Sequence, residues 1–291
     1  MLWGSAFPAI KTGYKLFKIE AADTASIILF AGIRFFFAGM LTVIIFSLIE
    51  RKPLIPKKSS IKKIGVLSMF QTILQYLFFY LGLAFTSGEK ASVINASGVF
   101  FALLISALLF KMEKLNTAKL AGTAIGFAGV IAVSLGAFTS GSVPSIGDLF
   151  ILLSSIAHGF STVFMKRYSA DENPAMLSGW QFMLGGAVMS MVGFAAGGHF
   201  ESISPSGLSI LLYLAFVSAG AYSLWSILLK HNDVSRVSVC GFMTPVFGYI
   251  LSSVFTPSEK NSVAIMLLAL VLVSVGIIIV NKSNKNELKN V

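Results

Sequence analysis

The chain has 291 residues, 56% hydrophobic and only 12% charged, with a mean hydropathy of +0.85. Soluble domains carry about a quarter charged residues, so this composition excludes a soluble globular protein and indicates an integral membrane one. The net charge of +10 orients loops in the membrane rather than binding nucleic acid, and the single cysteine, Cys240, excludes a disulfide framework and a cysteine-based metal site; no cofactor is expected.

Ten apolar segments follow one another, each to be compared with the roughly 20 residues that a helix needs to cross a bilayer. The first, Met1–Phe17, is short for a full span and carries Lys11, which leaves open a half-buried helix or a missing start. It lacks the charged opening of a cleavable signal peptide. Thr24–Ile49 is the second span, with Arg34 inside it, and Glu50–Lys63 is a basic, solvated loop with two prolines. Ile64–Phe85 is the third span. The fourth and fifth, Ala91–Phe110 and Thr117–Val133, are joined by the polar knot Lys111-Met112-Glu113-Lys114-Leu115-Asn116, which is short enough to force an antiparallel hairpin. Thr139–Gly147, rich in turn-forming residues, links two halves. Asp148–Lys166, Ala175–Gly198 and Gly207–Lys230 are spans six to eight. The ninth and tenth, Val234–Phe255 and Ser262–Val280, repeat the earlier hairpin around a second Glu-Lys knot at 256–261, and a polar tail follows.

The distribution of basic residues orients these spans. With the N-terminus inside, Lys and Arg number six in 50–63, three in 111–119, two at 166–167, two at 230–236 and three in the tail, sixteen in all, against four outside. Both termini are therefore expected in the cytoplasm, in a multi-pass protein of the bacterial plasma membrane. Five spans per half turn the second half upside down relative to the first. The expected fold is thus all-α, with ten transmembrane helices arranged as two inverted-topology repeats, 1–138 and 148–281, a linker at 139–147 outside and a tail at 282–291 inside.

Trp3-Gly4-Ser5 with Lys11, the lone Arg34, and Glu113 followed by Gly122, Gly126 and Gly129 make the first half resemble the EamA branch of the drug/metabolite transporter superfamily. Pro245-Val246-Phe247 and Glu259 do the same for the second half. The resemblance covers nearly the whole chain, as two units of about five helices. It implies a secondary transporter, an exporter or an importer, that moves small metabolites (amino acids, related polar or amphipathic compounds, or drugs) by alternating access without ATP, with efflux the expected direction. Three positions depart from the pattern: Val99 aligns with Pro245, His158 stands where a tryptophan is usual, and the last helix keeps only Gly276 of the glycine run.

Polar and aromatic groups within spans are costly and are the candidates for a site at the interface of the halves. In the first half these are Trp3, Lys11, Gln71, Gln75, Tyr76 and Asn95; in the second, His158, Tyr222, Trp225 and Tyr249; Arg34 is expected behind them. Each has a structural alternative. Lys11 can snorkel to the interface, Arg34 can pair with helix-end carbonyls, and Gln71 and Gln75, four apart on one helix face, can bond a neighbouring helix instead of lining a cavity. His158, the only histidine within a span, is either a proton-coupling group or a hydrogen-bonded interior residue. The partners expected are a small-molecule substrate, membrane lipids and protons as coupling ion, with the protein a monomer or homodimer. Two rival functions are a lipid-linked-sugar flippase and a membrane-embedded enzyme; the latter lacks an HExxH, a pair of intramembrane aspartates, a GxSG and a phosphate loop.

Overall fold

A computed structural model describes residues 2–139, 145–234, 237, 243–255 and 263–289. Among these residues there are no strands. Ten helical segments coincide with the ten predicted spans: α1 Leu2–Phe17, α2 Thr24–Ile49, α3 Ser60–Phe85, α4 Gly88–Leu109, α5 Thr117–Thr139, α6 Ile146–Tyr168, α7 Pro174–Ala195, α8 Pro205–His231, α9 Met243–Phe255 and α10 Val263–Lys289. Of these, α2, α3, α4, α6, α7 and α8 are long and apolar enough to cross a membrane; α5, α9 and α10 carry shorter apolar stretches. The second Glu-Lys knot lies outside the described residues.

Local chemistry fixes where the helices begin. Asp23 accepts from the Ser26 amide (3.0 Å) and Ser87 from that of Lys90 (3.2 Å), while Ser145 and Asp148 form a capping box at the start of α6. Pro174 and Pro205 stand in the first turns of α7 and α8 behind the caps Asn173 and Ser204, where a missing amide costs nothing. Two helices are irregular within: α3 widens to a π-helix over Ser68–Leu74, and α4 breaks at Ala96–Ser97 and ends in π-helical turns over Ile105–Leu109. Ile44, Leu48, Met191, Phe194 and Leu212 are exposed, an apolar outer surface suited to lipid.

The helices pair as a duplicated protein requires. α2 packs most extensively against α7 and α5 against α10, and α4 also packs against α9, each against its counterpart five helices later. Other contacts are exchanged by that shift: α1 meets α8 and α9, and α6 meets α3 and α4. In every self-equivalent pair the residue numbers run in opposite directions. Gly32 lies against Ser190 and Gly39 against Gly179; Gly122 faces Gly276 and Gly129 faces Ala269; Gly88 faces Ser252 and Gly248 faces Ser92. A two-fold axis along the helices would make equivalent partners parallel, so these antiparallel pairs mean an axis across them, and the halves are inverted repeats. The closest approach is between α2 and α7: a Cβ built on Gly186 would fall within 2.7 Å of the Gly32 carbonyl and 2.8 Å of the Phe36 Cα, so only a residue without a side chain fits there.

The two halves are also tied by charge. Lys90 Nζ lies 2.5 Å from Asp148 Oδ2, with both side chains largely buried, and Asp148 also accepts from Thr86 Oγ1 (2.8 Å) and the Ser145 amide (3.1 Å). The start of α4 packs against the start of α6 and brings the two charges together, a pairing that the sequence did not indicate.

Candidate functional site

Where the halves meet, a cavity of about 70 Å³ opens, lined from α1, α2, α3 and α4 of the first half and α6, α8 and α9 of the second. Its wall contains Trp3, Gln75, Tyr76, Asn95, His158, Tyr222 and Trp225, together with Arg34, Ala6, Phe7, Phe79, Ala96, Val99, Thr244 and Pro245. By the same measure one water needs about 10–15 Å³, so the space suits a handful of waters or a small solute.

The floor of the cavity is a bonded polar set. Gln75 Nε2 donates to Tyr222 Oη (2.9 Å), Tyr76 Oη donates to the same oxygen (2.5 Å), and the Gln75 carbonyl accepts from Ser161 Oγ (3.5 Å). These bonds join α3 of one half to α6 and α8 of the other. Around them stands an aromatic cage: Trp3 meets Tyr222 and Trp225 edge-on with centroids 5.0 and 4.9 Å apart, and His158 lies 6.3 Å from Trp3 and 6.1 Å from Trp225. The Phe35 ring closes on Tyr76 at 4.0 Å.

Arg34, expected behind the wall, forms part of it. Its Nε donates to the Leu214 carbonyl (3.1 Å), Nη1 to Tyr80 Oη and Nη2 to Ser218 Oγ (2.8 Å), and its guanidinium lies 4.8 Å from the Phe35 centroid. These partners are all neutral. The side chain is 1% exposed, so the charge sits in the interior of the bundle.

The structure does not bring every predicted residue to the cavity. Gln71 is buried outside it, with Oε1 unpaired. It lies in the π-helical stretch of α3, whose wider turn breaks the four-residue face expected to join it to Gln75. Lys11 lies on α1 away from the cavity and feels the Glu89 carboxylate on α4. Tyr249 packs on the apolar core instead. His158 Nδ1 is buried with no partner among the described residues, as are the indole nitrogens of Trp3 and Trp225. Sequence reasoning missed Phe7 and Phe79, because an apolar wall residue within a membrane helix looks like any core or lipid-facing residue, and it did not single out Thr244. Among the described residues no cluster of three His, Cys, Asp or Glu side chains occurs that would hold a metal ion.

Two larger grooves are apolar and open to the outside of the bundle. One of about 730 Å³ runs along α4, α5 and α6, and one of about 500 Å³ along α1, α8 and α9.

Comparison with known proteins places this geometry in context. The model of the EamA-like transporter family matches residues 1–135 and again 145–281. An uncharacterized transporter of Bacillus subtilis (strain 168), YvbV, is 26% identical over 99% of this chain and 90% of its own length. An uncharacterized transporter of Archaeoglobus fulgidus is 30% identical over 68% of each chain. A solved crystal structure superposes with a TM-score of 0.66 at 19% identity, covering 95% of this chain and 97% of the other, which bears on the fold alone.

Proposed function

Because the chain belongs to the EamA-like transporter family, and is accordingly a multi-pass membrane transporter, we propose that the cavity between its halves is the substrate site of a secondary carrier working by alternating access. The observation that carries this reading is the composition of that cavity: polar and aromatic side chains from both inverted repeats converge on one small space inside an otherwise apolar bundle. The repeats span 1–138 and 148–281, with the linker outside and both termini in the cytoplasm of a plasma-membrane protein that exports its substrate. A volume near 70 Å³ favours a small metabolite over a lipid-linked sugar. Proton coupling runs through His158, a titratable group on the wall.

Flux assays in proteoliposomes, with and without an imposed proton gradient, test the proposal. Saturable solute flux that responds to the gradient and is lost in Gln75→Ala is the expected result. Flux that is normal in Gln75→Ala, Asn95→Ala and Tyr222→Phe alike would move the site elsewhere. For the coupling, His158→Phe should flatten the pH dependence of flux, and an unchanged profile would remove His158 from that role.

A further inference from the structure

We infer that the solute taken by this cavity is a small organic anion, a carboxylate on a compact apolar or aromatic body, and that the cavity discriminates against cations. The inference rests on the substrate-site reading above and adds the chemical class. Its basis is an imbalance between donors and acceptors at one place.

On the donor side, Arg34 carries a full positive charge into the bundle interior, and its hydrogen-bond partners are a carbonyl and two hydroxyls. No carboxylate lies within ion-pair distance of it among the described residues; the ion pairs there involve Lys52, Lys63 and Lys90 instead. A guanidinium has five N–H donors, and three of its contacts are filled, so capacity remains. The indole N–H groups of Trp3 and Trp225, which can only donate, are buried on the same wall with no acceptor among the described residues. His158 Nδ1 is also buried and unpaired among them, and donates or accepts according to the tautomer. The acceptors are all neutral. The described wall has no Asp or Glu, the amide oxygen of Gln75 is already engaged by Ser161, and the Asn95 amide oxygen carries no charge.

A buried donor without an acceptor costs free energy, and a buried charge without a counter-charge costs more. The Arg34 guanidinium and the two indole N–H groups around one cavity are costly when it is empty and are answered together by a ligand that brings both oxygen lone pairs and a negative charge. A carboxylate does both. An ammonium would do neither and would be repelled by Arg34. The rest of the wall (Phe7, Phe79, Val99 and the aromatic faces) receives an apolar body. The neutral Arg34 partners hold the guanidinium in place without neutralising it, which leaves the charge available to the ligand.

The test uses the full-length protein in lipid nanodiscs and three probes of nearly equal shape: 3-phenylpropionate, 3-phenylpropionamide and 3-phenylpropylamine, with acetate, benzoate and a 2-oxo acid added to the anion set. Binding is read from tryptophan fluorescence, since Trp3 and Trp225 stand on the wall, and checked by flux in proteoliposomes. At least one anion should bind, with the amide at least tenfold weaker and the amine without effect. Trp225→Phe keeps an aromatic ring and removes one donor, and should weaken the anion roughly tenfold while leaving the amide within about twofold. Arg34→Lys should retain part of the anion affinity and Arg34→Gln none. Trp225→Phe keeps the test open should the Arg34 variants fail to fold. Binding or flux of the amine or amide in preference to every anion would overturn the inference while leaving the carrier reading intact. Absence of binding by all six probes would also overturn it. If flux of other solutes is then insensitive to Gln75→Ala, Asn95→Ala and Tyr222→Phe alike, the site reading falls as well.

Discussion

Removing the charge of Lys90 should destabilise the protein by about 3 kcal/mol. Lys90 and Asp148 form a buried pair at 2.5 Å, and the carboxylate also accepts from Thr86 Oγ1 and the Ser145 amide. Breaking a buried pair from one side typically costs about 3–5 kcal/mol, because the remaining charge is left in a low-dielectric place. The lower end applies to Lys90→Met, since two hydrogen bonds still serve the Asp148 carboxylate. Asp148→Asn keeps an oxygen for the capping box but strands the Lys90 ammonium, whose described ion-pair partner is that carboxylate alone, so a loss of similar size is expected. The double variant has no stranded charge and should recover at least about 1.5 kcal/mol of the summed losses. Equilibrium unfolding in mixed micelles, followed by far-UV circular dichroism, gives all four corners of the cycle. Single losses below about 1 kcal/mol that simply add in the double variant would refute the account of a buried, mutually dependent pair holding α4 of one half to α6 of the other.

Other consequences can be checked separately. Gly186→Ala should cost about 1–3 kcal/mol in thermal unfolding, because the new methyl meets the α2 backbone, whereas Gly65→Ala, which faces open space, should cost nothing. Burial acts to raise the Glu172 carboxyl, but hydrogen bonds from Ser60 and Lys63 and the Lys63 charge outweigh it and hold the group below its usual range. Its stabilisation is thus complete above the ordinary carboxylate pKa, about 4.3, and is lost as pH falls through the lower folded value. Glu172→Gln should flatten that acid limb, and an unchanged limb would contradict it. Reporter fusions near residue 56 and at the C-terminus should read cytoplasmic, and those near 142 and 203 extracytoplasmic; an outside signal at 56 would overturn the orientation.

Much of the fold was legible because a bilayer narrows the choices. Runs of about 20 apolar residues, five in each half of the chain, were enough for ten helices and an inverted duplication. The cavity wall was legible where a polar residue interrupted such a run, as at Gln75, Asn95 and His158. It was not legible where regularity failed: the π-helical turns at Ser68–Leu74 rotate Gln71 away, and nothing in that stretch's composition marks the change. Nor could spacing reveal which helices pair across the repeats. That pairing sets Arg34 against Leu214 and Ser218, some 180 residues away in sequence, and joins Lys90 to Asp148. Apolar wall residues such as Phe79 carry no signal of their own, since the membrane rewards the same side chain on either face.

The claim on which the rest depends is that the cavity between the halves opens alternately to the two sides of the membrane. Ala96 stands on its wall at the break in α4. With Cys240 replaced by serine, Ala96→Cys offers one thiol to a small membrane-impermeant reagent. Sealed vesicles labelled from outside, and separately from inside, give the answer. The account predicts labelling from both sides, with flux abolished once the thiol is modified. A thiol reached from one side only, or flux that survives its modification, would contradict it.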